Sequence, residues 1–176
     1  MQILMLIVLT LWWGMDMRRI ALLRHAGQAR GARRLYGRCV LTLSALAWGS
    51  MAGQLTLLAC NGLLSWRTAL PLHLCSLMLF VVLYLTFGPE GRLRQRLTDF
   101  LAVVGVIGSV CAILIPTNGT DFTDIQAYQC FVYHAGLLWF ALYQIGAKQA
   151  QLGSLRSLGG NLALLLALTV GMLYLN

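Results

Sequence analysis

Charge is what this sequence has least of. Asp, Glu, Lys and Arg together supply 10% of its 176 residues, and only five of them are acids. An ordinary soluble domain carries about 25% charged residues, so this chain cannot cover a water-facing surface of its own size. With 59% apolar residues and a mean hydropathy of +0.76, it is neither a soluble globular enzyme nor a disordered or collagenous chain. Lysine is nearly missing: Lys148 stands alone against twelve arginines, a bias that suggests a GC-rich, bacterial genome. Segments of about ten alternating residues are also missing, which excludes a membrane β-barrel. No internal repeat is present, so the paired-repeat plan of many transporters has no support. No basic stretch precedes the first apolar run, so that run is not a signal peptide. Neither a Cys-x-x-Cys nor a His-Glu-x-x-His spacing occurs, so no metal and no cofactor are expected.

What is present is apolar sequence in long runs. A helix needs about 20 such residues to cross a hydrocarbon layer about 30 Å thick. Six runs qualify as candidates: Met1–Met15, Val40–Leu64, Leu70–Phe87, Asp99–Ile115, Ala127–Ala147 and Asn161–Leu175. The first and last are short. Breakers stand between runs at Gly88-Pro89, Pro116 and Gly159-Gly160. Lipid obliges the backbone to satisfy its own hydrogen bonds, so each run is expected to be helix.

The bases alternate with the runs. Arg18, Arg19, Arg24, Arg30, Arg33, Arg34 and Arg38 follow the first run. Arg92, Arg94 and Arg96 follow the third, and Lys148 and Arg156 the fifth; the intervening connections hold only Arg67. This is the positive-inside pattern. It accounts for the net charge of +8 without nucleic acid. The expectation is an all-α, polytopic bundle of about six transmembrane helices, one integral membrane domain over residues 1–176. Both termini would be extracytoplasmic, in a bacterial inner membrane. Arg18 to Arg38 would be a cytoplasmic loop or an interfacial helix. Gly49-x-x-x-Gly53, and Gly105 with Gly108, read as close helix packing. Trp12, Trp13 and Trp66 read as interfacial anchors, and Asp121, Thr123 and Asp124 as the cap of the fifth helix.

Polar side chains in lipid are costly and mark function or packing. No Asp, Glu, Lys or Arg falls mid-run, which argues against a proton-coupled pump or a voltage sensor. Cys75 and His134 lie at nearly the same depth, about 7–10 Å in from the extracytoplasmic side at 1.5 Å per residue. A thiol beside an imidazole is an arrangement for nucleophilic catalysis, the ring taking the proton and the thiolate attacking a carbonyl. Taken alone, Cys75 reads as a small buried hydrophobe, whereas an intramembrane His such as His134 reads as functional. His73 is about 200° around the helix from Cys75, and an interfacial hydrogen bond is its plainer reading. Cys130 shares a face with His134 and is a rival nucleophile. Asn61, Gln54, His73, Gln129 and Tyr133 complete the polar rim as substrate-binding candidates. A non-catalytic membrane module is the competing reading, either a small-molecule carrier or an accessory subunit. A chain this small could complete its lipid seal by oligomerising.

Leu70-Pro71-Leu72-His73-Leu74-Cys75 resembles a signature of the YwaF-like integral membrane proteins, and Tyr133-His134-Ala135 resembles that family's downstream Phe/Tyr-x-His-Gly. The resemblance runs from about Trp48 to Gln149, with Ala135 in place of the usual Gly. The family includes the animal transmembrane protein 164, an acyltransferase that moves fatty acyl chains between phospholipids with a Cys and a His. The resemblance implies membrane lipids as substrates, Cys75 as nucleophile and His134 as base.

Overall fold

A computed structural model of the chain describes residues 2–62, 74–115, 125–151 and 155–175, and every element among them is helical. The six helices are α1 (Gln2–His25), α2 (Ala29–Cys60), α3 (Leu74–Phe87), α4 (Arg92–Leu114), α5 (Ile125–Gly146) and α6 (Leu155–Leu175). Two of them, α2 and α4, are long and apolar enough to cross a membrane. Shorter apolar stretches occupy Leu77–Phe87 and Leu158–Gly171.

The short first and last runs expected from the sequence are longer helices. α1 has 24 residues and α6 has 21. Gly159-Gly160 does not break the chain but sits inside α6. The stretch from Arg18 to Arg38 is not a loop but helix on both sides of a short turn. α1 continues to His25, α2 starts at Ala29, and the turn between them uses Gly27 at φ 71°. Only the apolar part of these helices registers as a span in a hydropathy reading. Arginine is a good helix former, so the helices continue where the apolar run stops.

Hydrogen bonds place the helix ends. Tyr36 Oη donates to Gln144 Oε1 at 2.6 Å, and Arg24 Nη2 donates to the Ala147 carbonyl at 3.2 Å. Gln95 Nε2 donates to the Gln149 carbonyl at 2.9 Å, and the Gln151 backbone N–H donates to Asp99 Oδ1 at 2.7 Å. Arg94 caps the end of α3 through the Leu85 and Gly88 carbonyls. The end of α1, start of α2, end of α3, start of α4 and end of α5 therefore share one end of the bundle, with Arg18 to Arg38, Arg92 to Arg96 and Lys148. The end of α2 and the starts of α3 and α5 lie opposite.

α5 is the central helix, packed by α1, α2, α3 and α4, while α6 lies outside against α3 and α4. The core is built from Leu43, Ala47, Met78, Val82, Phe100 and Phe140, all at 5% exposure or less. α4 carries a π-helical stretch, Leu101–Gly105. There a Cβ on Gly105 would stand 3.0 Å from Leu101 Cδ1 and 3.6 Å from Ala141 Cβ, so it would crowd its own helix while meeting α5 only at an ordinary contact distance. The other expected glycine contacts do not form. A Cβ on Gly49, Gly53 or Gly108 would meet nothing within 4 Å. α2 approaches α5 through Cys39, Leu43 and Ala47 instead, with Gly136 fitting against Leu46 and Ala47.

Candidate functional site

α2 and α5 run antiparallel in a register fixed at three points. Gln129 Nε2 reaches Ser50 Oγ at 3.4 Å, Gly136 faces Ala47, and Tyr36 bonds Gln144. This register sets His134 level with Trp48–Ser50. The Trp48 ring packs edge-on to Phe80 of α3, with centroids 5.7 Å apart, so α3 joins the same level. Cys75 lies in the first turn of α3, five residues before Phe80. At 1.5 Å per residue that is about 7–8 Å nearer the end where α2 terminates. The His134 side chain leans the same way, its Nδ1 lying 2.8 Å from the Cys130 carbonyl oxygen one turn back along α5.

That contact decides the chemistry of the ring. A carbonyl oxygen only accepts, so Nδ1 carries the proton and Nε2 holds the lone pair. The Cys130 Sγ is also near Nδ1, at 3.4 Å, but a protonated nitrogen cannot accept a thiol proton. With that tautomer, Cys130 holds the ring through its backbone carbonyl, and its thiol lies beside a donor nitrogen. His134 is 8% exposed, and the buried Tyr133 ring stands edge-on to it at 4.9 Å.

The expected polar rim divides. Tyr133 and His134 are together in the core, and Gln129 is tied to Ser50. Asn61 does not join them: it is exposed at the end of α2, and its amide Nδ2 turns back to the Leu57 carbonyl at 2.8 Å. Gln54 is half-buried two turns earlier. His73 and the side chain of Cys75 lie outside the described residues, as do Trp66, Asp121, Thr123 and Pro116. Sequence reasoning missed one donor at this level. The Trp48 indole N–H is buried and has no hydrogen-bond partner among the described residues. A lone Trp in an apolar run gives no sign of this.

A second polar centre lies nine residues farther along α5, about 14 Å toward the arginine end. Asp16 of α1 is 3% exposed. Its Oδ2 accepts the Tyr143 hydroxyl at 2.7 Å and the Cys39 thiol at 3.3 Å. The exposed Arg19 approaches Oδ1 only to 4.0 Å. Beside this trio a cavity of about 10 Å³, room for one water molecule, is lined by Trp12, Trp13, Cys39, Leu43 and Trp139 among others. The Trp13 ring packs against Trp139 at 6.2 Å, so Trp13 is part of the core, while Trp12 is 43% exposed. Two carboxylates at the edges of apolar runs are thus buried within helices: Asp16, one residue past the first run, and Asp99, which opens the fourth and is 5% exposed in α4. Asp16 escaped because the apolar run stops at Met15. Its position at i+3 from Trp13 and i−4 from Ile20, on the buried face, was the available signal. Among the described residues no group of three His, Cys, Asp or Glu could hold a metal ion.

In comparisons with known proteins, the family model described as the TMEM164 family matches residues 1–176. The match takes in the first and last helices as well as the four central ones. No curated protein and no solved structure matches the chain.

Proposed function

Because the chain belongs to the TMEM164 family and is a membrane protein, we propose that it is a multi-pass lipid acyltransferase or acyl hydrolase in which Cys75 is the nucleophile and His134 the base. All six helices cross the bilayer, with the arginine end cytoplasmic and both termini outside. The clustering of exposed arginines at one end supports this orientation through the positive-inside rule. A bacterial inner membrane fits the arginine-rich composition.

The observation that carries the chemical reading is the His134 tautomer. A buried imidazole whose Nδ1 is held by a backbone carbonyl presents Nε2 as a fixed base, the arrangement a neutral thiol requires. In the proposed reaction Nε2 takes the Cys75 thiol proton as sulfur attacks the ester carbonyl of a phospholipid. The tetrahedral oxyanion collapses, the lysophospholipid oxygen leaves with the proton from His134, and an acyl thioester remains. A lysolipid hydroxyl, or water, is then deprotonated by Nε2 and attacks the thioester, which returns the thiol. The place of Cys75 in the first turn of α3 favours negative charge there through the helix dipole. The unpartnered Trp48 indole N–H is the oxyanion donor we assign, with Gln54 and His73 as further polar contacts for the lipid headgroup. One preorganised donor of this kind is worth about 3 kcal/mol in a dry site.

The test is adduct mapping. Purified protein is incubated with an activated acyl ester, and the modified peptide is identified by mass spectrometry. The proposal expects a thioester on Cys75 that is lost in Cys75→Ala and His134→Ala and retained in Cys130→Ala. Labelling unchanged in Cys75→Ala removes this residue from the mechanism. Lipid-dependent stabilisation without any adduct would favour the non-catalytic reading.

A further inference from the structure

α2 is longer than its task in the bilayer requires. Its 32 residues extend about 48 Å, whereas Val40–Cys60 alone covers about 31 Å, the full hydrocarbon thickness. The first eleven residues, Ala29–Cys39, therefore rise about 16 Å through and beyond a headgroup layer about 5–7 Å deep. Arg30, Arg33, Arg34 and Arg38 all fall on this arm and all are exposed. At 100° per residue they occupy one arc of about 140°, with Gly37 inside it, where a Cβ would meet nothing within 4 Å. The same arc continues into exposed Leu41 and Ala45, so this is the face α2 turns to lipid and not one turned to a neighbouring helix. Arg18 and Arg19 of α1 are exposed at the level of the Asp16–Cys39 contact, beside the base of the arm.

None of the four guanidinium groups meets a carboxylate among the described residues. The acids nearby are engaged elsewhere, Asp16 with Tyr143 and Cys39, and Glu90 with Arg94. Topology alone would be served by arginines pointing in any direction at this end of the bundle. A one-sided ladder continuous with the lipid face, with an open glycine at its centre, suits planar donors gripping phosphate oxygens in pairs.

We infer that the amino-terminal arm of α2 is a binding site for the phosphate groups of anionic phospholipids in the leaflet at the arginine end. Arg38 lies at headgroup depth. Arg34, Arg33 and Arg30 stand above it, and their long side chains reach back toward the phosphates. Gly37 leaves room for a headgroup to lie against the backbone. The inference rests on membrane placement and is independent of the acyl-transfer reading, whose assay reports on a different end of the bundle.

The experiment uses the full chain in a neutral detergent, with phosphatidylglycerol or phosphatidylcholine of the same acyl composition added and the thermal midpoint read. Phosphatidylglycerol is expected to raise the midpoint and phosphatidylcholine to leave it unchanged, with the rise lost in 0.5 M salt, as order-of-magnitude screening requires. In R30Q/R34Q/R38Q the rise falls by half or more, whereas in R92Q/R96Q, which removes two exposed arginines at the same end, it stays. G37E, which places a carboxylate in open space amid the ladder, also abolishes the rise and serves if the triple variant does not fold. Equal shifts from both lipids, an undiminished shift in R30Q/R34Q/R38Q and G37E, an equal loss in R92Q/R96Q, or the same shift from inorganic phosphate alone would each overturn the inference.

Discussion

The Asp16–Tyr143 contact lends itself to a quantitative test because one carboxylate oxygen joins three helices. A hydroxyl donating to a charged acceptor contributes about 1.5–3 kcal/mol, and at 2.7 Å between groups that are each 4% exposed or less this contact belongs in that range. The Cys39 thiol at 3.3 Å is a weak donor and adds a few tenths of a kcal/mol at most. Asp16→Ala alone is a poor probe. It removes the hydrogen bonds but also relieves the desolvation of a buried carboxylate, and the two effects oppose each other. A double-mutant cycle separates them. Tyr143→Phe should cost about 2 kcal/mol when Asp16 is present. It should cost almost nothing when residue 16 is already Ala, because the hydroxyl has by then lost its acceptor. The coupling should therefore be about 2 kcal/mol. Unfolding by sodium dodecyl sulfate, followed by the fluorescence of Trp13 and Trp139 packed beside the trio, gives all four free energies. If Tyr143→Phe costs the same in both backgrounds to within about 0.5 kcal/mol, the additivity expected of independent sites, the pin does not exist.

Other substitutions follow from the packing. Gly88→Ala is expected to destabilise by about 1–3 kcal/mol, because a Cβ there would run into the Tyr84 carbonyl; a lowered thermal midpoint checks it. Gly49→Ala and Gly53→Ala should instead be neutral or stabilise by up to about 1 kcal/mol, since both positions face open space, whereas a GxxxG seam would make them costly. Tyr36→Phe removes the 2.6 Å bond to Gln144 and should cost about 1 kcal/mol, read in the same unfolding assay. Cys130→Ala keeps the backbone carbonyl that holds His134 Nδ1, so acyl transfer should stay within about threefold of the starting protein, where loss of a catalytic group would remove about 10²–10⁴-fold.

The helices among the described residues were legible in the sequence because each apolar run corresponds to one of them. Their ends were not. Polarity and helicity part company from Arg18 to Arg38, where seven arginines end an apolar run while the chain stays helical on both sides of a short turn. The same reading hid Asp16, one residue past Met15, whose partners Cys39 and Tyr143 are 23 and 127 residues away. Burial of a carboxylate depends on such distant donors, and no local pattern carries them. Glycine spacing misled for a related reason. Gly49 and Gly53 satisfy a packing motif, but α2 turns the Ala47 side toward α5, and the tightest glycine approach between helices among the described residues is that of Gly146 in α5 to Met17 and Trp13 of α1. His134 stood out because an imidazole in an apolar helix needs a partner. Its partner, the Cys130 carbonyl one turn back along α5, is a backbone group and leaves no mark in the side-chain pattern.

In the proposed reaction a thiol at the start of α3 carries an acyl group and the His134 ring moves its proton. Vesicles containing a phospholipid with a deuterated acyl chain and an unlabelled lysophospholipid, sampled over time by mass spectrometry, test it directly. Label is expected in the lysolipid-derived product, or as free fatty acid, with the unaltered protein and with Cys130→Ala, and in neither form with Cys75→Ala or His134→Ala. Undiminished appearance of label with Cys75→Ala, in protein whose thermal midpoint matches the parent, would contradict it.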